Sequence, residues 1–142
     1  NRAIWFAPNH PDAVFLDIRP EVGPDIVCDT RALPPEVGDG YSLVIFDPPH
    51  KNTQGGNCGQ NYGEWNMAHV RDTIAKTAAE AWRVAAPGAF MAFKWNDHTL
   101  KIRTVLGFMG EWWEPLFGHG ARHQQRHKTM TYWVMLRRRD AP

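Results

Sequence analysis

The sequence predicts a single α/β domain over residues 1–142, with a mostly parallel sheet closed by a C-terminal antiparallel hairpin. Three observations carry this reading. Short apolar runs rich in β-branched and aromatic residues recur at residues 13–16, 25–28, 41–46 and 89–95, as buried strands do. Residues 67–84 repeat their apolar positions at helical spacing. Three successive strand-like runs also end in a carboxylate: Asp17, Asp29 and Asp47.

Composition bounds the function. The chain has 142 residues, 43% hydrophobic and 22% charged, which suits one globular domain with a real core. Two cysteines, Cys28 and Cys58, make neither a disulfide framework nor a zinc site, and they suit a reducing, cytoplasmic compartment. No run approaches the roughly 18 apolar residues of a membrane span, and no signal-peptide pattern opens the chain. The first residue is Asn1, so the reading allows for a preceding segment. A net charge of +1 excludes a wholly electrostatic nucleic-acid binder, although the stretch from Arg122 onward is basic. Seven tryptophans are many for this length and suit a site for a planar ligand as well as a core.

The elements follow in order. Ile4-Trp5-Phe6 reads as a short strand or clasp, and residues 7–12 as a turn. The runs at 13–16 and 25–28 are separated by too few residues for a crossover helix, so a wide loop or a very short strand is required there. Tyr41-Ser42-Leu43-Val44-Ile45-Phe46 is the central buried strand. It ends in Asp47-Pro48-Pro49-His50, where two prolines remove ladder donors and stiffen the backbone. An aspartate at the carboxyl end of a buried strand lies where open α/β sheets bind ligands. If the three strands are parallel, Asp17, Asp29 and Asp47 line one edge of one sheet. Taken singly, each aspartate also suits a turn or helix cap.

Residues 51–65 are polar and glycine-rich and read as a substrate loop or lid. Their glycines lack the spacing of a phosphate-binding fingerprint. Asn66 caps a helix at residues 67–84, stopped by Pro87-Gly88. The strand at 89–95 ends in Asn96 and Asp97. A second helix is expected at 99–109, an edge strand at 111–117, and a last strand at 129–137. The glycine- and base-rich residues 118–128 between them read as a loop. His119, His123 and His127 would share a face if that loop were helical, but its glycines and bases argue against a metal site, and none is expected. Arg122, His123, Arg126 and Lys128 suit either a phosphate-contacting tip or a plain solvated loop.

These residues resemble a known family. The order of elements looks like the class I S-adenosylmethionine-dependent methyltransferase fold, Rossmann-like and minimal, entered without the usual N-terminal glycine-rich strand–helix unit. Asp47-Pro48-Pro49-His50 resembles the Asp-Pro-Pro-aromatic motif of amino-methyltransferases that modify adenine N6 or cytosine N4. Residues 80–89 resemble the fold's common helix-to-strand junction. Cys28-Asp29-Thr30-Arg31, Tyr62-Gly63 and Phe93-Lys94-Trp95 are similar to stretches of the MT-A70 group of RNA and DNA adenine methylases. One departure is His50, where the family carries an aromatic ring that stacks on the target base.

The resemblance implies a methyltransferase with S-adenosyl-L-methionine as cofactor and a base of DNA or RNA as acceptor. Asp47, Pro48, Pro49 and His50 would form the catalytic motif. Asp17 would meet the cofactor's ribose, and Asp29, Thr30 and Arg31 its adenine or amino-acid end. Lys94, Asn96 and Asp47 would complete the cofactor side, while Lys51, Arg122, His123, Arg126 and Lys128 would contact nucleic acid. A protein or small-molecule N-methyltransferase, and an inactive methyltransferase-like binding subunit, are the alternatives. A homodimer or partner subunit would suit so small a chain.

Overall fold

The computed structural model describes residues 6–48, 67–98, 100–122 and 129–140. Among the described residues, six strands form two sheets, accompanied by two α-helices. β1 (Leu16–Asp17) and β2 (Ile26–Val27) make a two-residue parallel pair. β3 (Tyr41–Phe46), β4 (Ala85–Asn96), β5 (Trp113–Arg122) and β6 (Met130–Arg138) form a second sheet in the order β3-β4-β6-β5. Helix α1 spans Met67–Val84 and α2 spans Ile102–Gly107.

The expected single, mostly parallel sheet is therefore corrected. In the four-stranded sheet β3–β4 is parallel, while β4–β6 and β6–β5 are antiparallel. Asp17 closes β1 and Asp29 follows β2, so these two carboxylates belong to a different sheet from Asp47. The tight link between β1 and β2 is a 3₁₀ turn at Pro20–Val22, closed by Gly23 at φ 63°. Such a short parallel connection is tolerated because each strand has only two residues. Backbone bonds from Asp25 and Ile26 to the Phe15 carbonyl, and from Cys28 to that of Asp17, extend the pairing without lengthening the ladder.

Helix α1 forms the core with one face of the large sheet. Its Val70, Ile74, Ala78 and Ala81 share a buried cluster with Met91, Phe93 and Trp95 of β4 and with Val134 and Leu136 of β6. The strand residues alternate, as period-two side chains must. Trp113 and Trp95 are fully buried, and both indole N–H groups are satisfied: Trp113 donates to the Ala78 carbonyl at 2.9 Å and Trp95 to that of Leu100 at 2.8 Å.

Two elements differ from the sequence expectation for instructive reasons. β4 begins at Ala85, before Pro87-Gly88, and its register against β3 shifts between Tyr41↔Ala85 and Leu43↔Phe90. Gly88, at φ 76°, supplies the left-handed residue for this irregularity. β5 runs on through Gly118 and Gly120, which the sequence suggests as loop. A Cβ on Gly118 would lie 2.9 Å from the Trp133 carbonyl, and one on Gly120 would lie 2.8 Å from the Met130 methyl and 2.9 Å from the Tyr132 ring. These glycines mark close approach to β6. Since His119 lies in this strand, the helical spacing of His119, His123 and His127 loses its premise. Helix α2 is shorter than the expected 99–109. The proposed Asn66 cap and the loop at 51–65 lie outside the described residues, as do residues 1–5.

Candidate active site

The end of β3 and the neighbouring part of β4 form the centre of the candidate site. Phe46 is buried against Phe93, with ring centroids 5.6 Å apart, and this fixes the strand end. The next residue, Asp47, has the parity of Leu43 and Ile45, so it faces away from helix α1. Its Oδ2 accepts a hydrogen bond from Lys94 Nζ at 2.8 Å. Both side chains keep about a quarter of their surface in solvent, 28% for Asp47 and 24% for Lys94. Pro48 behind them is buried, so the carboxylate stands on a fixed base.

The second group of expected residues lies at the ends of β1 and β2, and it repeats one device. Asp17 Oδ1 accepts Arg19 N at 3.0 Å and Nε at 3.1 Å, while Oδ2 accepts Nη2 at 3.2 Å. Asp29 Oδ1 accepts Arg31 N at 2.9 Å and Nε at 3.0 Å, with Nη2 on Oδ2. Each Asp-x-Arg triplet folds into a tight turn whose arginine clamps the carboxylate in a two-pronged pair. Burial pushes the Asp17 carboxyl up, but the bonds and charge of Arg19 together hold it below the usual carboxylate range. The side-chain bond from Arg31 likewise depresses Asp29 against an opposing effect of burial. Arg31 also reaches Asp72 of α1 at 3.6 Å, and Asp72 pairs with Lys76.

Helix α1 ties this turn to the large sheet. The Thr30 and Thr77 hydroxyls are 3.0 Å apart. Glu80 Oε2 accepts the Leu33 N–H at 2.8 Å, and Arg83 Nη2 donates to the Leu33 carbonyl at 3.2 Å while pairing with Glu80 at 2.9 Å. The Glu80–Arg83 pair therefore clamps both backbone groups of one residue. The side-chain bond from Arg83 holds Glu80 below its ordinary pKa, opposed by burial and helped by the Leu33 amide. A carboxylate with a depressed folded pKa adds stability above its unfolded pKa, and that stability is lost as pH falls through the folded value. Glu80→Gln should therefore lower stability by about 1 kcal/mol at pH 7. Urea midpoints of the two proteins should converge below about pH 4. A gap that stays constant down to pH 3 would contradict the ion pair's role.

Other expected residues turn out to be engaged structurally. Buried Asn96 donates from Nδ2 to Thr131 Oγ1 at 2.9 Å and accepts the His98 N–H, so it braces the end of β4. Asp97 accepts the Met130 N–H at 2.7 Å and pairs with Lys101. The C-terminal arginines also have internal partners: Arg137 pairs with Glu114, Arg138 stacks 3.9 Å over the Trp82 ring, and Arg139 donates to the Gly110 carbonyl. Arg122 closes β5. Pro49, His50, Lys51, His123, Arg126 and Lys128 lie outside the described residues. Sequence reasoning missed the Leu33 clamp, whose only local sign is an acid and a base three apart on a helix.

No protein-family model matches the chain, and no curated protein sequence matches it. The fold has counterparts among solved structures. It is similar to the N-methyltransferase NodS of Bradyrhizobium japonicum WM9 in complex with S-adenosyl-L-homocysteine, with a TM-score of 0.57 and 13% identity over 87% of this chain. A second NodS structure gives a TM-score of 0.56 at 11% identity, again over 87% of this chain. The chain spans 64% of the length of the first NodS structure and 71% of the second. Among the described residues, no helix is long and apolar enough to cross a membrane.

Proposed function

We propose that the chain is an S-adenosylmethionine-dependent methyltransferase that modifies an exocyclic amine of a nucleic-acid base, adenine N6 or cytosine N4. The observation that carries this reading is Asp47, a part-exposed carboxylate on a buried Pro48 at the end of a parallel strand, in a fold similar to that of an N-methyltransferase. The motif it opens supplies the base as acceptor.

The cofactor suits the donor set at β1 and β2. Asp17 uses three of its roughly four lone-pair sites on Arg19, which leaves acceptor capacity for a ribose hydroxyl. Asp29, Thr30 and Arg31 would flank the remainder of the nucleoside. S-adenosylmethionine, when bound, supplies an electrophilic sulfonium methyl group.

The chain's own residues prepare the acceptor. An exocyclic amine is a poor nucleophile because its lone pair is delocalised into the ring. Asp47 and the Pro48 carbonyl would accept its two hydrogens and direct the lone pair out of the ring plane. Once methylated, the amine would have a proton to lose, and Asp47 or water would accept it. Lys94 holds the carboxylate in one orientation, so preorganisation is the main contribution. A protein or small-molecule amine is the second reading. It is favoured by the internal pairing of Arg137, Arg138 and Arg139, which leaves less free positive surface than the sequence suggests.

The test is transfer of labelled methyl groups to single-stranded oligonucleotides, each with one amino base type, beside a panel of protein and small amines. Label on adenine N6 or cytosine N4 is the expected result. Label confined to a non-nucleic amine would move the function to the second reading.

A further inference from the structure

One face of the four-stranded sheet has no helix against it among the described residues, and a single row of functional groups crosses it. Strand register defines the row. Lys94 is the cross-strand partner of Trp133, and Trp133 is the partner of His119. Asp47 lies one residue beyond the Phe46↔Phe93 pair and is bonded to Lys94 at 2.8 Å. Cross-strand partners project to the same face. A carboxylate, an ammonium, an indole and an imidazole therefore follow one another across β3, β4, β6 and β5.

Trp133 is the unusual member of the row. It sits on an inner strand, hydrogen-bonded on both sides, yet 39% of it is exposed. The Lys94 ammonium lies 5.7 Å from its ring centroid. One lysine thus reaches both the carboxylate and the indole, and it links the ring to Asp47. The neighbouring Phe117, 69% exposed, continues the apolar surface. The core explains none of this exposure, since the inward residues of β6 are Val134 and Leu136.

We propose that Trp133 is the specificity-determining wall of the acceptor site and takes the face of a planar ring whose amine meets Asp47. The proposal rests on the reading of Asp47 given above and assigns the stacking role to β6, in a chain where His50 follows Pro-Pro. The chemistry of the row selects the ligand class. A ring face, a hydrogen-bond acceptor for an amine and a nearby cation together complement an unstacked nucleobase in a single strand: the base stacks, its amine donates to Asp47, and Lys94 offers a positive charge to the anionic strand. A flexible aliphatic amine has no ring to lay against the indole.

The experiment compares the unmodified chain with Trp133→Ala and Trp133→Phe. Binding of single-stranded oligonucleotides containing adenine or cytosine is measured by fluorescence anisotropy, methyl transfer to them by initial rates, and S-adenosylmethionine affinity by calorimetry. Trp133→Ala should weaken oligonucleotide binding and raise KM roughly tenfold or more, the scale expected for loss of one base–aromatic stack. Trp133→Phe should restore most of that loss, and cofactor affinity should be unchanged in both. Oligonucleotide affinity within twofold of the unmodified protein in Trp133→Ala would overturn the proposal, as would failure of the unmodified chain to bind any single strand. Trp133-dependent binding without methyl transfer would support the wall while removing the enzyme reading. Transfer to a non-nucleic amine with no strand binding would do the reverse.

Discussion

Asp47→Asn should lower methyl transfer roughly 100- to 1,000-fold while leaving S-adenosylmethionine affinity within a few-fold of the unmodified protein, the scale seen when one preorganised polar group is removed from an active site. Asparagine has nearly the same shape and keeps one acceptor oxygen. It loses the negative charge that draws hydrogen from the amine and that holds Lys94 Nζ at 2.8 Å. The effect should fall on kcat, because the interaction strengthens as the amine becomes positive in the transition state. Lys94→Met should be milder, since it leaves the carboxylate in place but frees its orientation. Rate measurements at saturating cofactor check both variants. If Asp47→Asn retained more than a tenth of the rate, Asp47 would not be the group that activates the amine.

The largest effect on stability should come from Trp113→Ala, at about 3–5 kcal/mol. Trp113 opens β5, is fully buried, and donates its indole N–H to Ala78 in the middle of α1. Truncation would empty a large volume in the cluster shared by Ala78, Val105 and Met109, and would remove the polar link between β5 and the helix. A domain of this size is stable by only about 5–15 kcal/mol, so such a loss takes a large share. Trp113→Phe, which keeps most of the apolar volume, should cost much less. Urea denaturation separates the two, and a Trp113→Ala midpoint equal to that of the unmodified chain would contradict this placement of the core.

The sequence made some of this legible and concealed the rest for physical reasons. Leu43–Phe46 and Tyr132–Leu136 are continuous apolar runs, and α1 repeats its buried positions every three or four residues, so local pattern sufficed. The position of Asp47 at a strand end followed from the two prolines after it. The glycines at 118 and 120 misled because glycine signals a loop locally, whereas here the cause is non-local crowding by Trp133, Met130 and Tyr132. The separation of Asp17 and Asp29 from the sheet of Asp47 depends on which strands pair, and strand endings do not encode that. The partners of Arg137 and Arg138 are brought to them only by folding: Glu114 across β5 and the Trp82 ring on α1. The row from Asp47 to His119 is likewise a property of register. Alternation within β6 alone put Trp133 on the face opposite Val134, but could not say what stood beside it.

The proposed cofactor site is the pair of strand-end carboxylates of β1 and β2. The decisive measurement is isothermal calorimetry of S-adenosylmethionine binding to the unmodified chain and to Asp17→Ala, with folding of each sample checked by circular dichroism. Saturable binding of one cofactor per chain, weakened at least roughly tenfold by Asp17→Ala, is the predicted result, the loss expected for one hydrogen bond to a charged group. A folded chain that binds no S-adenosylmethionine, or that binds it equally well without Asp17, would contradict the account.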